Sequence, residues 1–147
     1  MSRTLAREDA FKLAFEMEMT GICAEDALNY LYETAENTNE MWAQNSVTAS
    51  SKKYLDTVIN GIEENKEVLD NIISPMLKNW TLSRISKVNL AVLRLAFFEI
   101  NYIDEIPFKV TANEAVKLAK KYGGNESGAF VNGVIGTFLK NKNTEGN

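Results

Sequence analysis

The segment that most constrains the fold is KVNLAVLRLAFFEINYI, residues 87–103, because it is apolar on nearly every side of a helix. A helix with that pattern lies in the middle of a core, surrounded by other elements. The segment is short and carries Arg94 and Glu99, so it is a buried helix rather than a membrane span. Because a buried charge needs a partner, we expect both side chains to pair with others in a structural role.

Most of the remaining sequence also has helical spacing, with apolar residues three or four positions apart. Gly21 separates the first two such segments, and Pro75 kinks a later one or starts its last turn. No segment alternates with period two for long enough to predict a strand. The pattern predicts an all-α fold of about seven helices, forming one domain over residues 1–147.

A polar stretch around Trp42, residues 37–53, interrupts the helical pattern and predicts a loop. This loop would separate an N-terminal helix pair from a C-terminal bundle, giving two subbundles that share one core. Further along, DEIPFKV predicts an extended linker, since the residue before a proline is disfavoured in the α region. TANE, with Thr111 and Glu114, has the spacing of a capping box that opens the next helix.

Composition excludes several classes of function. The chain has one cysteine, Cys23, and no histidine, so we expect no disulfide, no metal site, no cofactor and no enzymatic activity. The formal net charge of −4 gives no overall attraction to nucleic acid, so an RNA site would be a local patch. Without an apolar leader or membrane span, we expect a cytoplasmic protein.

The stretch KKYGGNESGAFVNG, residues 120–133, places a glycine-rich corner between two predicted helices. Its G-x-x-x-x-G spacing resembles a P-loop, but Ala129 and Phe130 stand where a P-loop needs Lys and Ser or Thr. We expect one helix to end with Gly123 as its C′ residue and the next to run from about Ser127 to Leu139, before a frayed tail. On spacing alone, Ser127 is an N-cap and Phe130 a core residue; alternatively, the helix start holds a phosphate and Phe130 stacks on a base.

Two long segments, SRTLAREDAFKLAFE and NWTLSRISKVNLAVLRLAFFEINYIDEIPFKVTANEAVKLAKKYGGNESGAFVNGVIG, resemble the NusB family of bacterial transcription antitermination factors. The resemblance implies a NusB-like fold of two small helical subbundles and a non-enzymatic, RNA-binding role. It also implies that the protein pairs with NusE, a ribosomal small-subunit protein, and that the pair binds single-stranded boxA RNA. Such complexes help RNA polymerase to read through terminators, notably on ribosomal RNA operons.

The resemblance implies RNA contacts at positions that match the family's RNA face. Ser127 and Phe130 match its contacting Ser and Phe, with Gly124 and Gly128 allowing close approach of the RNA backbone. Arg3 and Arg7 lie four apart, so one helical stripe could present both to phosphates, unless it is only a solvated stripe. The further matching positions are Tyr54, Phe108 and Lys109.

A second surface follows from Phe15 and Met19, four residues apart on the first helix. Spacing alone favours a core position for both, whereas the matching family positions form part of the surface that faces NusE. The basic run SRTLARE is thinner than is common in the family. An alternative function is therefore a structural or scaffold protein that keeps the fold and has weak or no RNA binding.

Overall fold

The computed structural model describes residues 2–36 and 48–145, which form seven α-helices and no strand. This confirms the predicted all-α class and the number of helices. A short 3₁₀ turn, Ser74–Met76, follows the fourth helix and has Pro75 near its start, as predicted. The helices are α1 (Arg3–Thr20), α2 (Ala24–Glu36), α3 (Ala49–Glu64), α4 (Lys66–Ile73), α5 (Lys87–Tyr102), α6 (Phe108–Gly123) and α7 (Asn125–Glu145).

Helices α1, α2 and α3 pack on one another and form the N-terminal unit, Met1–Asn65. Gly21 ends α1 with a φ of +79°, a conformation that glycine adopts at little cost. Between α2 and α3, the Tyr32 hydroxyl donates a 2.6 Å hydrogen bond to Asp56. At the start of α2, the backbone N–H of Ala24 donates to the Glu63 carboxylate at 2.7 Å.

The boundary between the two units was predicted wrongly. Thr48 caps α3, its hydroxyl accepting from the Ser51 N–H at 3.2 Å, so the helix begins at Ala49 and the predicted loop ends earlier than residue 53. The predicted loop around Trp42 otherwise lies outside the described residues. Because α3 packs with α1 and α2, the described part of the first unit, residues 2–36 and 48–65, has three helices, and the chain divides after Asn65.

Helix α5 is central to the C-terminal unit, Lys66–Asn147, where it packs against α4, α6 and α7. Every residue from Asn89 to Glu99 is buried, as the apolar pattern predicted. Arg94 donates two hydrogen bonds of 2.9 Å to Asp70 on α4. Thr111 on α6 donates at 3.0 Å to Glu99, so both buried charges have structural partners, as predicted.

Two helix starts differ from their predicted positions. Helix α6 begins at Phe108, directly after Pro107, so residues 108–110 are helical rather than an extended linker. The capping-box prediction is also wrong, because the Thr111 hydroxyl lies inside α6 and bonds to Glu99 instead of capping the helix. Helix α7 begins at Asn125 and reaches Glu145, so the predicted frayed tail is helical up to that residue.

A single domain over residues 1–147 stays a prediction.

Candidate nucleic-acid interface

The corner between α6 and α7 needs its glycines for local packing. Gly124 has φ +89° and ψ 179°, a backbone region that almost only glycine occupies. A Cβ at Gly123 would overlap with the Ser127 side chain, and one at Gly128 would overlap with Lys120. The prediction that Gly128 admits an RNA backbone is therefore wrong, whereas the space around Gly124 is open.

An open pocket of about 320 Å³ lies at this corner, here called the corner pocket. It brings together the two predicted RNA residues of α7, Ser127, which is buried, and Phe130, which is half-buried. Trp80 contributes a second aromatic ring that is 54% exposed. The pocket is lined by Trp80, Arg84, Ile85, Ser86, Asn89, Glu126, Ser127 and Phe130.

Two helix starts meet at the corner pocket. Ser86 is the N-cap of α5, where its hydroxyl accepts from the Asn89 N–H at 3.1 Å, and Glu126 and Ser127 lie in the first turn of α7. Helix starts carry a partial positive charge and favour electronegative ligand groups. Arg84 adds a cation to the lining and Glu126 an anion. The pocket can therefore meet both a phosphate and the amino or imino groups of a base.

Asn89 is a lining residue of the corner pocket and carries a buried polar atom without a partner. The residue is 9% exposed, and its Oδ1 has no hydrogen-bond partner among the described residues. A buried carbonyl oxygen without a partner is uncommon in native proteins, since it loses its bonds to water and gains none in return. The Oδ1 atom is therefore shielded from the pocket in this conformation as well as unpartnered among the described residues.

A second pocket of about 280 Å³, the adjacent pocket, shares Trp80 and Phe130 with the corner pocket. Lys78 lies in its wall with a φ of +55°, and it is the one described non-glycine residue with positive φ. Left-handed backbone in a lysine is strained, and such strain occurs often at functional sites. This turn leads directly into Trp80, whose N–H donates to the Leu77 carbonyl at 3.1 Å.

Phe108 and Lys109 stand at the start of α6 and line neither of these two pockets. The Phe108 ring is half-buried and stacks on Phe138, with centroids 6.2 Å apart and planes at 17°. Phe138 in turn meets Phe97 edge-on at 5.0 Å. Lys109 is exposed. Phe108 thus has a packing role, and Lys109 is the member of this predicted pair that is open to solvent.

The structure brings together the three predicted RNA residues of the N-terminal unit. The guanidinium of Arg3 lies 4.5 Å from the centroid of the Tyr54 ring, and that of Arg7 lies 5.9 Å from it. Tyr54 is only 4% exposed and Arg7 only 3%, whereas Arg3 is exposed. Tyr54 and Arg7 are therefore poorly placed to touch RNA in this conformation, and Arg3 is the member of the cluster that is open to a phosphate.

The predicted partner surface on α1 is partly open. Met19 is 56% exposed, which is unusual for a large apolar side chain and suits a contact surface. Phe15 is half-buried, with its ring centroid 6.2 Å from that of Phe11. Phe15 thus contributes to the packing of α1 and also reaches its surface.

Two ionisable groups of the N-terminal unit have shifted pKa values. Burial raises the pKa of Tyr32, and the hydrogen bond to Asp56 and the charge of its carboxylate raise it further. Burial also raises the pKa of Asp9; nearby Lys12 lowers it and Glu8 raises it again. The Tyr32 hydroxyl therefore stays protonated at neutral pH and continues to donate to Asp56.

Neither a metal centre nor a membrane span occurs within the described ranges. Residues 2–36 and 48–145 contain no group of three or more side chains of the kinds that ligate metals. In the same ranges, no helix has the length and apolar character needed to cross a bilayer.

The fold and the pockets define a small all-helical protein of two compact units, with aromatic pockets next to a glycine corner. The NusB family model matches residues 4–140, and the chain belongs to the NusB family. The transcription antitermination protein NusB of Acetivibrio thermocellus is 42% identical over 142 residues, covering 97% of this chain and 91% of that protein.

Solved structures of NusB proteins have the same fold. T. maritima NusB is 35% identical, with a TM-score of 0.78 over 95% of this chain and 92% of that chain. A chain from the crystal structure of antitermination factors NusB and NusE in complex with dsRNA matches with a TM-score of 0.78 at 22% identity, covering 94% of this chain and 96% of that one. At that identity the similarity establishes the fold alone.

Six lining residues of the corner pocket were not predicted as site residues from the sequence: Trp80, Arg84, Ile85, Ser86, Asn89 and Glu126. Trp80 and Arg84 lie four residues apart in NWTLSR, and an aromatic residue close to a basic one is a usable signal for RNA binding. Asn89 had no such signal, because it stands within the apolar pattern of α5.

Proposed function

We propose that this protein is a cytoplasmic, non-enzymatic transcription antitermination factor that binds single-stranded boxA-type RNA together with NusE. The complex acts on RNA polymerase and promotes readthrough, notably of ribosomal RNA operons. Membership of the NusB family and the relative in A. thermocellus support this function. Cytoplasmic location follows from the proposal, since bacterial transcription takes place there.

The observation that carries the RNA-binding part is the pair of aromatic side chains, Trp80 and Phe130, in the lining of the corner pocket. Aromatic platforms bind unpaired bases by stacking, each worth about 1–3 kcal/mol, and they tolerate many sequences. Arg84 and the start of α7 supply positive charge for the phosphates of the same strand. Double-stranded RNA hides its base faces, so the pocket suits single-stranded RNA.

The proposed partner, NusE, suits the charge of the chain and the open surface of α1. A formal net charge of −4 favours a basic partner, and ribosomal proteins are generally basic. Met19 offers an exposed apolar anchor, and Phe15 extends the same stripe one turn earlier. The crystal structure that contains NusB and NusE together supports this pairing for the family.

A scaffold protein with weak RNA binding is the second candidate function. It is favoured by the N-terminal cluster, where Arg7 and Tyr54 are buried and leave Arg3 as the exposed cation. The two candidates differ in whether the complex with NusE selects boxA RNA, so one titration separates them.

The test is a titration of fluorescently labelled boxA RNA with this protein alone, with NusE alone and with both together. A scrambled RNA of equal length and composition is the control. The antitermination function predicts tight binding by the two proteins together and at least tenfold weaker binding of the scrambled RNA. Equal affinity for the two RNAs, or no gain when both proteins are present, would contradict it and favour the scaffold role.

A further inference from the structure

We propose that the adjacent pocket binds the base of a second unpaired nucleotide, the direct neighbour along the strand of the nucleotide at the corner pocket, and that Lys78 contacts its phosphate. The inference rests on the proposed RNA-binding function and adds a second binding site to it. The ligand is a nucleotide within single-stranded RNA, whatever its base, since every base offers a flat face for stacking.

The first argument is the chemistry of the lining. Of the described residues that line the adjacent pocket, Lys78 is the one with a charged side chain. The other lining residues are apolar, aromatic or glycine, apart from Asn79 and Thr137. The Thr137 hydroxyl already donates to the Gly133 carbonyl at 3.0 Å. Apolar walls with one cation suit a base together with its phosphate.

The second argument is the backbone of Lys78. Its φ of +55° is costly for a lysine, whereas glycine or asparagine adopts such a conformation more easily. The turn is closed by the Trp80 N–H, which donates to the Leu77 carbonyl at 3.1 Å, and it places Lys78 and Trp80 together in the wall of one pocket. Backbone strain at a lysine is explained by a use for its ammonium group, and a phosphate beside an aromatic ring provides that use.

The third argument is the open surface of α7 in the wall of the adjacent pocket. Ala129 and Gly133 lie one helical turn apart in this wall, and both are exposed. A Cβ at Gly133 would meet nothing within 4 Å, so the packing of the protein does not require a glycine there. The small side chains leave room for a flat ring beside Phe130. The volume of about 280 Å³ lies just below the usual range for small-molecule sites, which suits one base rather than a larger ligand.

The fourth argument is the continuity of the two pockets. Trp80 and Phe130 line both of them, and each pocket has its own cation, Arg84 in the corner pocket and Lys78 in the adjacent pocket. Proteins bind single-stranded nucleic acid with successive aromatic platforms along a positively charged path. Two pockets that share aromatic walls therefore suit consecutive nucleotides of one strand. An apolar side chain of a protein partner would offer no anion to Lys78.

The main test fills the adjacent pocket and leaves the residues of the corner pocket unchanged. Gly133→Leu places a side chain in the open space, and Gly136→Leu, at an exposed glycine of the same helix outside both pockets, is the matched control. A Cβ at either position would meet nothing within 4 Å, so we expect both variants to fold. Labelled boxA RNA, intact or with one base at a time replaced by an abasic site, is titrated into the NusE complexes.

We expect Gly133→Leu to lower the affinity for intact RNA about tenfold, which corresponds to one base stack, and Gly136→Leu to leave it unchanged. Abasic sites at two consecutive positions should weaken binding to the wild-type complex. At one of these two positions the abasic site should have no further effect on the Gly133→Leu complex. The melting temperature of both variants should equal or exceed that of the wild type, because each replaces a glycine inside a helix.

A second variant tests the phosphate contact. Lys78→Asn removes the cation, and asparagine tolerates the left-handed backbone, so its melting temperature should equal or exceed that of the wild type. The slope of log affinity for RNA against log salt should become shallower by about 1. Lys142→Asn, at an exposed lysine of α7 outside both pockets, makes the same change of charge and should leave the slope unchanged.

Three results would overturn the inference: wild-type affinity of Gly133→Leu, the same response of this variant and the wild type to every abasic site, or weaker binding of Gly133→Leu to NusE without RNA. The last result would assign the pocket to the protein partner. If Gly133→Leu melts below Gly136→Leu, Lys78→Asn decides, and an unchanged salt slope for that variant would equally overturn the inference. Failure of the proposed function is recognised separately, because the wild-type complex would then not select boxA RNA over the scrambled RNA.

Discussion

Gly123 and Ser127 approach each other so closely that a Cβ on Gly123 would overlap with the Ser127 side chain. Val88 on α5 lies on the same side, 3.2 Å from the position of that Cβ. The contact packs the end of α6 against the first turn of α7 and thereby positions the wall of the corner pocket. The glycine corner thus allows α6 and α7 to pack closely, and this packing places Ser127 and Phe130.

Gly123→Ala should lower the free energy of unfolding by about 1–3 kcal/mol, the usual cost of forcing an extra group into a packed site. Urea denaturation measures the change. Gly136→Ala, on α7, is the matched control, since its Cβ would meet nothing within 4 Å and its φ is negative. The control should be neutral or stabilising by up to about 1 kcal/mol. Equal behaviour of the two variants would contradict the packing role of Gly123.

The ion pair between Arg94 and Asp70 supports a second prediction. Asp70→Ala should lower the free energy of unfolding by about 3 kcal/mol, because it removes the acceptor of two hydrogen bonds from a side chain that is only 8% exposed. Thermal and urea unfolding measure this. Asp104→Ala, at an exposed position of the same unit, should change stability by less than about 0.5 kcal/mol. A loss below 1 kcal/mol for Asp70→Ala would show that the pair contributes little.

The raised pKa of Asp9 gives a pH-dependent prediction. Burial, the first cause, makes the ionised carboxylate less favourable in the folded than in the unfolded chain. Its ionisation therefore costs stability above its folded pKa, and this cost disappears as the pH falls below the ordinary value of 3.8. Asp9→Asn should raise the melting temperature at pH 7 and not at pH 3. A variant less stable than the wild type at pH 7 would show that the carboxylate is favourably paired.

The sequence predicted the helices more completely than it predicted the candidate site. The spacing of the apolar residues was sufficient to predict the number of helices and the buried position of α5. The burial of α5 in turn predicted a structural role for Arg94 and Glu99. Prediction failed where tertiary contacts compete with local signals. Thr111 has the local pattern of a cap, yet its hydroxyl is used by Glu99 across the core of the C-terminal unit.

The candidate site was predictable only in part for a related reason. Ser127 and Phe130 lie in the glycine-rich stretch that predicts a corner between two helices, and the structure places them in one pocket. Arg7 and Tyr54 have the residue types of an RNA site, but burial is a property of packing and cannot be read from residue type. Asn89 was missed because an amide in an apolar helix gives no local sign that its oxygen lacks a partner.

The α1 surface gives a prediction for the partner. Met19→Asp should weaken the complex with NusE at least tenfold without lowering the melting temperature, because Met19 is 56% exposed. Phe15→Asp should weaken it as well, with some loss of stability from its contact with Phe11. Isothermal titration calorimetry measures both. Val68→Asp, at an exposed apolar position of the C-terminal unit, is the control and should bind as the wild type does. Unchanged binding of Met19→Asp would remove Met19 from the interface.

The N-terminal cluster gives a prediction for salt dependence. Arg3→Ala should remove one phosphate contact, so the slope of log affinity for RNA against log salt should become shallower by about 1. Arg7→Ala should act mainly on stability, because Arg7 is buried beside Tyr54. Titrations of the NusE complex at several salt concentrations, with melting curves, separate the two effects. A shallower slope for Arg7→Ala alone would reverse this assignment.

The central claim, that the glycine corner presents an aromatic platform to single-stranded RNA, is tested most directly by Phe130→Ala. Labelled boxA RNA is titrated into the NusE complexes of the wild type, Phe130→Ala and Leu139→Ala, the last an exposed apolar position on the same helix outside both pockets. We predict that Phe130→Ala lowers affinity by about 1–3 kcal/mol, the value of one base stack, while Leu139→Ala leaves it unchanged. Equal affinities for wild type and Phe130→Ala, with equal melting temperatures, would contradict the claim.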